Sequence, residues 1–110
     1  MTTRFATQHS VREFTSLPGC HQVVVSHNAF VYPVHRGKGL GGPEHIAGLA
    51  EMIRLGYDYA LCTVKSDNLA QRAIISNVGW DQLAVFQSSY TGNRVILYGK
   101  ELIKWRSPSL

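Results

Sequence analysis

A chain of 110 residues, of which 45% are hydrophobic and 16% charged, is long enough to form one globular domain, and we expect a single domain over residues 1–110. The formal net charge of +4 favours an anionic partner, but Lys and Arg are scattered singly without interleaved aromatic residues, which argues against nucleic acid. No apolar run approaches the roughly 20 residues that span a bilayer, and the first residues lack the apolar core of a secretory signal, so we expect a cytoplasmic protein. Two cysteines, Cys20 and Cys62, without metal-ligand spacing predict neither a disulfide framework nor a metal site.

The first half of the chain predicts a turn, two strands and a helix. Residues 1–20 show no clear hydrophobic period, apart from a turn at "SLPG" (16–19). The stretch "HQVVVSHNAFVYPV" (21–34) is rich in β-branched and aromatic residues around a turn-prone centre, which predicts two short strands in a hairpin. Apolar residues at spacings of three and four between 46 and 53 predict an amphipathic helix that Gly56 closes.

The second half predicts a buried strand, a helix and two further strands. "YDYALCTV" (57–64) is mostly apolar, which predicts a strand buried on both faces. A helix capped within 66–68 and ended by Gly79 follows, and then "QLAVFQSS" and "RVILYGKEL" predict strands joined through "YTGN" (90–93). A strand–helix–strand crossover in a mixed sheet indicates an α/β or α+β fold.

The glycine-rich stretch "VYPVHRGKGLGGPEH" (31–45) lies between a strand and a helix, which is the geometry of an anion site. It lacks GxxxxGK followed by Ser or Thr, so it is not a P-loop. Gly37, Gly39 and Gly42 satisfy GxGxxG, but the residues before them do not fit a dinucleotide fingerprint. The third alternative is a pyrophosphate cradle for coenzyme A of the type [Q/R]xxGxG, beginning at Arg36.

Over residues 22–100 the sequence resembles the GNAT N-acetyltransferases. "VYPVHRGKGLG" is similar to that family's fourth strand and pyrophosphate loop, and "GYDYALCTVKSDNLAQRAIISNVGW" (56–80) to its fifth strand and following helix. The resemblance implies an α+β fold with a mixed, mostly antiparallel sheet and a central strand–helix–strand unit that binds acyl-CoA. It implies an acetyl-CoA-binding protein that transfers the acetyl group to an amine of a protein or small molecule.

The resemblance also implies roles for named residues. The backbone amides of the loop would bind the pyrophosphate, and these are the amides of Arg36, Gly37, Lys38, Gly39, Leu40 and Gly41. Asn68 would contact the pantetheine arm, and a backbone N–H near Tyr32 or Val34 would polarise the thioester carbonyl.

Two departures from the family pattern bear on catalysis. Ile75 stands where the family commonly has the tyrosine that protonates the leaving thiolate, so Tyr90 or Ser76 would have to substitute. His27 is the candidate general base, although a histidine in a hairpin turn is the simpler interpretation. Glu44 is expected at the helix start and His45 on the helix surface.

The resemblance further implies a compact, N-terminally shortened member, such as occurs in phage genomes, because family members have two helices and a strand before the equivalent of residue 22. We therefore expect a homodimer, in which a partner relieves the exposed sheet edge. The alternative is a GNAT-derived interaction protein that has lost turnover. Such a protein would act by docking on another enzyme, for instance an enzyme of a host.

Overall fold

The computed structural model describes residues 2–102, which form one six-stranded sheet with two helices. The elements in chain order are β1 (Thr2–Ala6), β2 (Ser10–Leu17), β3 (Cys20–Val31), a 3-10 turn (Pro33–His35), α1 (Gly41–Arg54), β4 (Tyr59–Lys65), α2 (Leu69–Val78), β5 (Asp81–Gln87) and β6 (Arg94–Glu101). The strand order is β1-β2-β3-β4-β6-β5, and β3 and β4 are the one parallel pair of this sheet. The predicted mixed, mostly antiparallel α+β fold is confirmed.

The N-terminal residues, for which the sequence showed no period, form β1 and β2. Side chains of a strand alternate between the two faces of its sheet, and the inward side chains of β2 are Ser10, Arg12 and Phe14, all buried. Because two of these three are polar, the strand shows no alternation of hydrophobicity. The predicted turn is confirmed: Pro18 and Gly19 connect β2 to β3, and Gly19 has a φ of +79°.

The predicted hairpin around residue 27 is wrong, because β3 is one strand of 12 residues that pairs with β2 along most of its length. The turn-prone residues form a β-bulge instead. Val11 pairs with Phe30 and Glu13 with His27, so β3 carries one residue more than β2 between the two pairs. Asn28, in this bulge, has a φ of +52°, a conformation that asparagine tolerates better than most residues.

Helix α1 connects the parallel strands β3 and β4, and α2 follows β4. The predicted ends of α2 are confirmed: the Asn68 side chain accepts a hydrogen bond from the Gln71 amide at 3.2 Å, and Gly79 ends the helix with a φ of +100°. Strand β4 is not buried on both faces as predicted. Its side chains alternate, and Ala60, Cys62 and Val64 are the buried ones.

The core lies between the two helices and one face of the sheet. Its buried apolar members are Phe14, Val24, Leu49, Met52, Ala60, Cys62, Val64, Ile75, Trp80, Ile96, Tyr98 and Leu102. Within residues 2–102 no helix covers the opposite face of the sheet, so that face is open. Neither α1 nor α2 is long and apolar enough to cross a membrane.

Candidate functional site

A cleft opens where β3 and β4 part. The two strands are paired only from Val23–Val25 to Tyr59–Leu61, and the Asn28 bulge follows on β3. A cavity of about 320 Å³ occupies this cleft and extends beneath the helices. Its lining residues are Arg12, Ser26, His27, Asn28, Ala29, His45, Cys62, Thr63, Val64, Lys65, Asn68, Gln71 and Ile75.

The glycine loop that follows β3 forms a second, smaller concave site of about 210 Å³. Gly37 and Gly39 have φ values of +73° and +72°, and a Cβ at either position would meet no atom within 4 Å. Within the described residues, the amides of Gly37, Lys38, Gly39 and Leu40 have no hydrogen-bond acceptor. Successive free amides in such a turn form a concave anion-binding surface.

Helix α1 starts directly after this loop, so the positive end of its dipole faces the same space. A Cβ on Gly41 would lie 2.6 Å from Ile74 Cδ1, so the first turn of α1 packs tightly on α2. Arg36 turns back towards β3: its Nε donates to the Val31 carbonyl at 2.8 Å, and its guanidinium lies 4.7 Å from the Phe30 ring centroid. Lys38 is exposed beside the loop. The loop therefore presents backbone amides rather than side-chain charges.

The two cavities adjoin at Gln71, which lines both. The loop of free amides and the cleft between the two strands thus form one continuous concave track. Asn68 lines the cleft part of this track, where its Oδ1 also caps α2.

The structure does not bring Tyr32 or Val34 to either cavity. The Tyr32 amide donates to the His9 carbonyl at 3.0 Å, so it is not free for a ligand. Val34 lies on the exposed 3-10 turn. Ala29 lies beside Asn28 in the bulge and lines the cleft, so β3 contributes to the cavity at this point rather than at Tyr32 or Val34.

The candidate catalytic side chains are separated by the fold. His27 lines the cleft, with its Nε2 2.7 Å from Thr15 Oγ1, and Ile75 lines the cleft as a fully buried apolar residue. Tyr90 is 96% exposed in the turn between β5 and β6, and it lines neither cavity; nor does Ser76. Of the predicted acid and base candidates, the structure places only His27 at the cleft.

Sequence analysis missed a buried polar cluster beneath the cleft. His45 was expected on the helix surface, but it is 5% exposed, because the buried stripe of α1 runs through His45, Leu49 and Met52, whereas Ile46 is exposed. Glu44 is also buried, and its Oε1 accepts hydrogen bonds from Ser10 Oγ at 2.6 Å and from the Thr7 hydroxyl.

The electrostatics of this cluster follow from its burial. Burial, helped by the charges of Arg12 and Lys100, lowers the pKa of His45 to about 4, so its imidazole is neutral at pH 7. Burial raises the pKa of the Cys62 thiol to about 12, against a smaller opposing effect of Arg12. Burial by itself would raise the pKa of Glu44. Hydrogen bonds from Ser10 and Thr7 lower it, as do the charges of His9 and Arg12, and together they outweigh burial. The pKa of Glu44 therefore lies below its ordinary value.

The sequence matches no family model and no curated protein. Solved structures of acetyltransferases do share its fold. yncA from Salmonella typhimurium, determined with its cofactor acetyl-CoA, superposes with a TM-score of 0.73 at 21% identity, over 91% of this chain and 61% of that one. Spermidine N-acetyltransferase from Vibrio cholerae, in complex with CoA and spermine, superposes with a TM-score of 0.79 at 13% identity. The superposition covers 90% of this chain and 61% of that one.

The ribosomal-protein-S18-alanine N-acetyltransferase from Escherichia coli gives a TM-score of 0.71 at 13% identity, over 93% of this chain and 68% of that one. At such identities the superpositions establish the fold, which is that of the GNAT acetyltransferases. The chain spans 61% of the length of yncA and of the spermidine N-acetyltransferase.

Proposed function

We propose that the protein is a GNAT-family acyl-CoA-binding protein that transfers an acetyl group to an amine. One observation carries the proposal: a loop of unpaired backbone amides continues, through Gln71, into a cleft between two parted parallel strands. A ligand that fits this track has an anionic group at one end and an extended arm, which describes coenzyme A. The acetyl-CoA bound to yncA, which shares the fold, supports this choice.

The residues present fit such a cofactor. The amides from Gly37 to Leu40 would hold the pyrophosphate, and the open space over Gly37 and Gly39 lets phosphate oxygens approach the backbone. Residues 26–31 of β3 pair with no described strand on the β4 side, so their backbone can pair with the amides of a pantetheine arm. Asn68, at the edge of the cleft, can hydrogen-bond to the same arm. When bound, the cofactor supplies an activated acyl thioester.

His27 lines the cleft and can accept a proton from the substrate ammonium, directly or through water, so that the free amine attacks the thioester carbonyl. Ile75 offers no proton to the leaving thiolate. A thiol with an ordinary pKa near 8.5 is already a tolerable leaving group, so the missing acid would cost at most the roughly 10²–10⁴-fold that such catalysis contributes. We therefore expect slow transfer.

The acceptor in this proposal is an amine, as it is for the spermidine N-acetyltransferase that shares the fold. We also propose a cytoplasmic homodimer, for which the open face of the sheet is the support. Assembly occurs among the structural neighbours, since one structure of the Vibrio cholerae enzyme is dodecameric.

Substitution of Gly39 by valine tests the cofactor site, and the same substitution at Gly92 is the matched control. Both glycines have φ near +75° with open space above them, so each variant incurs a similar backbone strain of about 1–2 kcal/mol. Only Gly39 lies in the anion-binding loop. By calorimetry, we expect Gly39→Val to lose CoA binding by at least about tenfold, whereas Gly92→Val retains it. Equal affinity of the two variants, or a wild type that binds no CoA, would refute the proposal.

The interaction-protein alternative is favoured by one observation, the buried Ile75 where a proton donor would serve turnover. Thiol release from acetyl-CoA with a panel of amines separates the two functions. Release of the thiol in the presence of an amine would support the acetyltransferase function. If CoA binds without turnover, and a protein partner is captured equally well by wild type and by Gly39→Val, the interaction-protein alternative gains support.

A further inference from the structure

The inner wall of the cleft contains a buried cation that forms no ion pair within the described part of the chain. Arg12 is 6% exposed and lines the larger cavity, and its Nε has no hydrogen-bond partner. The guanidinium lies against the backbone of Gly48, where an added Cβ would come within 3.0 Å of Arg12 Nη1. Among residues 2–102 no carboxylate lies within ion-pair distance of Arg12.

The neighbouring groups do not neutralise this cation by direct contact. Glu44 acts on Arg12 through space, but its Oε1 is held by the hydroxyls of Thr7 and Ser10. The Cys62 thiol, also on the cavity wall, stays protonated at neutral pH because burial raises its pKa to about 12. Burial lowers the pKa of Arg12, against the opposing effects of Glu44 and Cys62, yet arginine keeps its proton in proteins.

A second unpaired group lies on the same wall. Neither ring nitrogen of His45 has a hydrogen-bond partner, although the side chain is buried and lines the same cavity as Arg12. A neutral imidazole offers one N–H donor. Buried polar groups are normally hydrogen-bonded, and a buried charge without a partner is costly. Two such groups on one cavity wall indicate that the partner is supplied by a ligand.

We propose that Arg12, with His45 beside it, binds a carboxylate of the substrate at the inner end of the cleft. This inference rests on the proposed function and specifies its substrate class. The favoured source is the acyl chain of a dicarboxylic acid joined to CoA, because the cleft continues from the anion-binding loop and Arg12 lies on its buried wall. A carboxylate on the amine acceptor has the same chemistry.

The test is calorimetric titration with CoA, butyryl-CoA and succinyl-CoA, of which the last two have acyl chains of equal carbon number and differ in the terminal carboxylate. We expect wild type to bind succinyl-CoA at least about tenfold tighter than butyryl-CoA. Arg12→Met should abolish this preference, measured as the ratio of the two thioester affinities in the same variant, and Arg12→Lys should retain part of it. Because Arg12 is buried, circular dichroism establishes that each variant is folded.

A second arm identifies the source of the carboxylate. Glycine and ethylamine are titrated into the CoA-saturated protein, since the two amines differ in the carboxylate. Arg12-dependent preference for glycine, without preference for succinyl-CoA, would support the proposal and place the carboxylate on the acceptor. No carboxylate preference in either arm, with CoA still bound by wild type, would overturn this inference alone. Absence of binding by CoA and by both thioesters would overturn the proposed function and this inference together.

Discussion

At the scale of single residues, the polar side chains under the cleft determine how the fold responds to acid. His45 packs against Trp80, with ring centroids 5.5 Å apart, and burial lowers its pKa from 6.5 to about 4. The unfolded chain therefore binds a proton at pH 5 that the folded chain does not bind. Stability from this residue is fully present above pH 6.5 and is lost as the pH falls towards 4.

Replacement of His45 by phenylalanine should flatten this pH dependence. The shift in pKa corresponds to about 3 kcal/mol of unfolding free energy between pH 6.5 and pH 4. Urea unfolding at half-unit steps of pH measures it, with His21→Phe as the control, because His21 is exposed on β3. We expect the wild type and His21→Phe to share a slope that is smaller in His45→Phe, where carboxylates of lowered pKa such as Glu44 still contribute. An unchanged slope in His45→Phe would show that His45 titrates normally in the folded protein.

At the scale of elements, the bulge in β3 is the feature that opens the cleft. It lies two residues beyond Val25, the last residue of β3 that pairs with β4, and a bulge bends its strand. Asn28 has a left-handed conformation within this bulge. The turn propensity at this point could be predicted from the sequence, but the bulge could not, because a bulge and a hairpin turn favour the same residues.

Substitutions at Asn28 can test the bulge without touching the anion-binding loop. Glycine and valine both remove the hydrogen bond that Asn28 donates to Glu13, but only valine resists a positive φ. We expect Asn28→Gly to remain within about 1 kcal/mol of wild type, and Asn28→Val to lose about 1–2 kcal/mol more. CoA affinity should fall with Asn28→Val and not with Asn28→Gly, by calorimetry. If the valine variant binds CoA as the glycine variant does, the bulge does not shape the cleft.

Elements with one apolar and one polar side could be predicted from the sequence, and elements that place polar residues inward could not. Helix α2 was predicted with its cap within residues 66–68 and its end at Gly79, since local chemistry indicates both, and the structure places the cap at Asn68. Strand β2 was missed because Arg12 faces inward, and the same side chain now lines the cleft. A polar residue at a buried position removes the alternation of hydrophobicity by which a strand is recognised. The strand and the buried polar cluster beneath the cleft were therefore missed for one physical reason.

At the scale of the whole molecule, the sheet of residues 2–102 has both described helices on one face and none on the other. Both helices pack on the face that carries the core. Strand β5 forms one edge of the sheet, every one of its residues is exposed, and its outer edge has no strand partner within residues 2–102. Phe86, opposite Val95 of β6, projects from the open face and is 43% exposed. An apolar face next to an open edge is typical of a surface that a second copy covers.

Arginine at Phe86 should dissociate the homodimer that we propose. A guanidinium in the centre of an apolar contact loses its hydration without gaining a partner, which weakens association by about 2 kcal/mol or more. Ile46→Arg is the control: Ile46 is 54% exposed, but it lies on α1, away from the open face. By sedimentation velocity at micromolar concentration, we expect wild type and Ile46→Arg to be dimers and Phe86→Arg a monomer. A monomeric wild type would contradict the homodimer, and a dimeric Phe86→Arg would place its interface elsewhere than the open face.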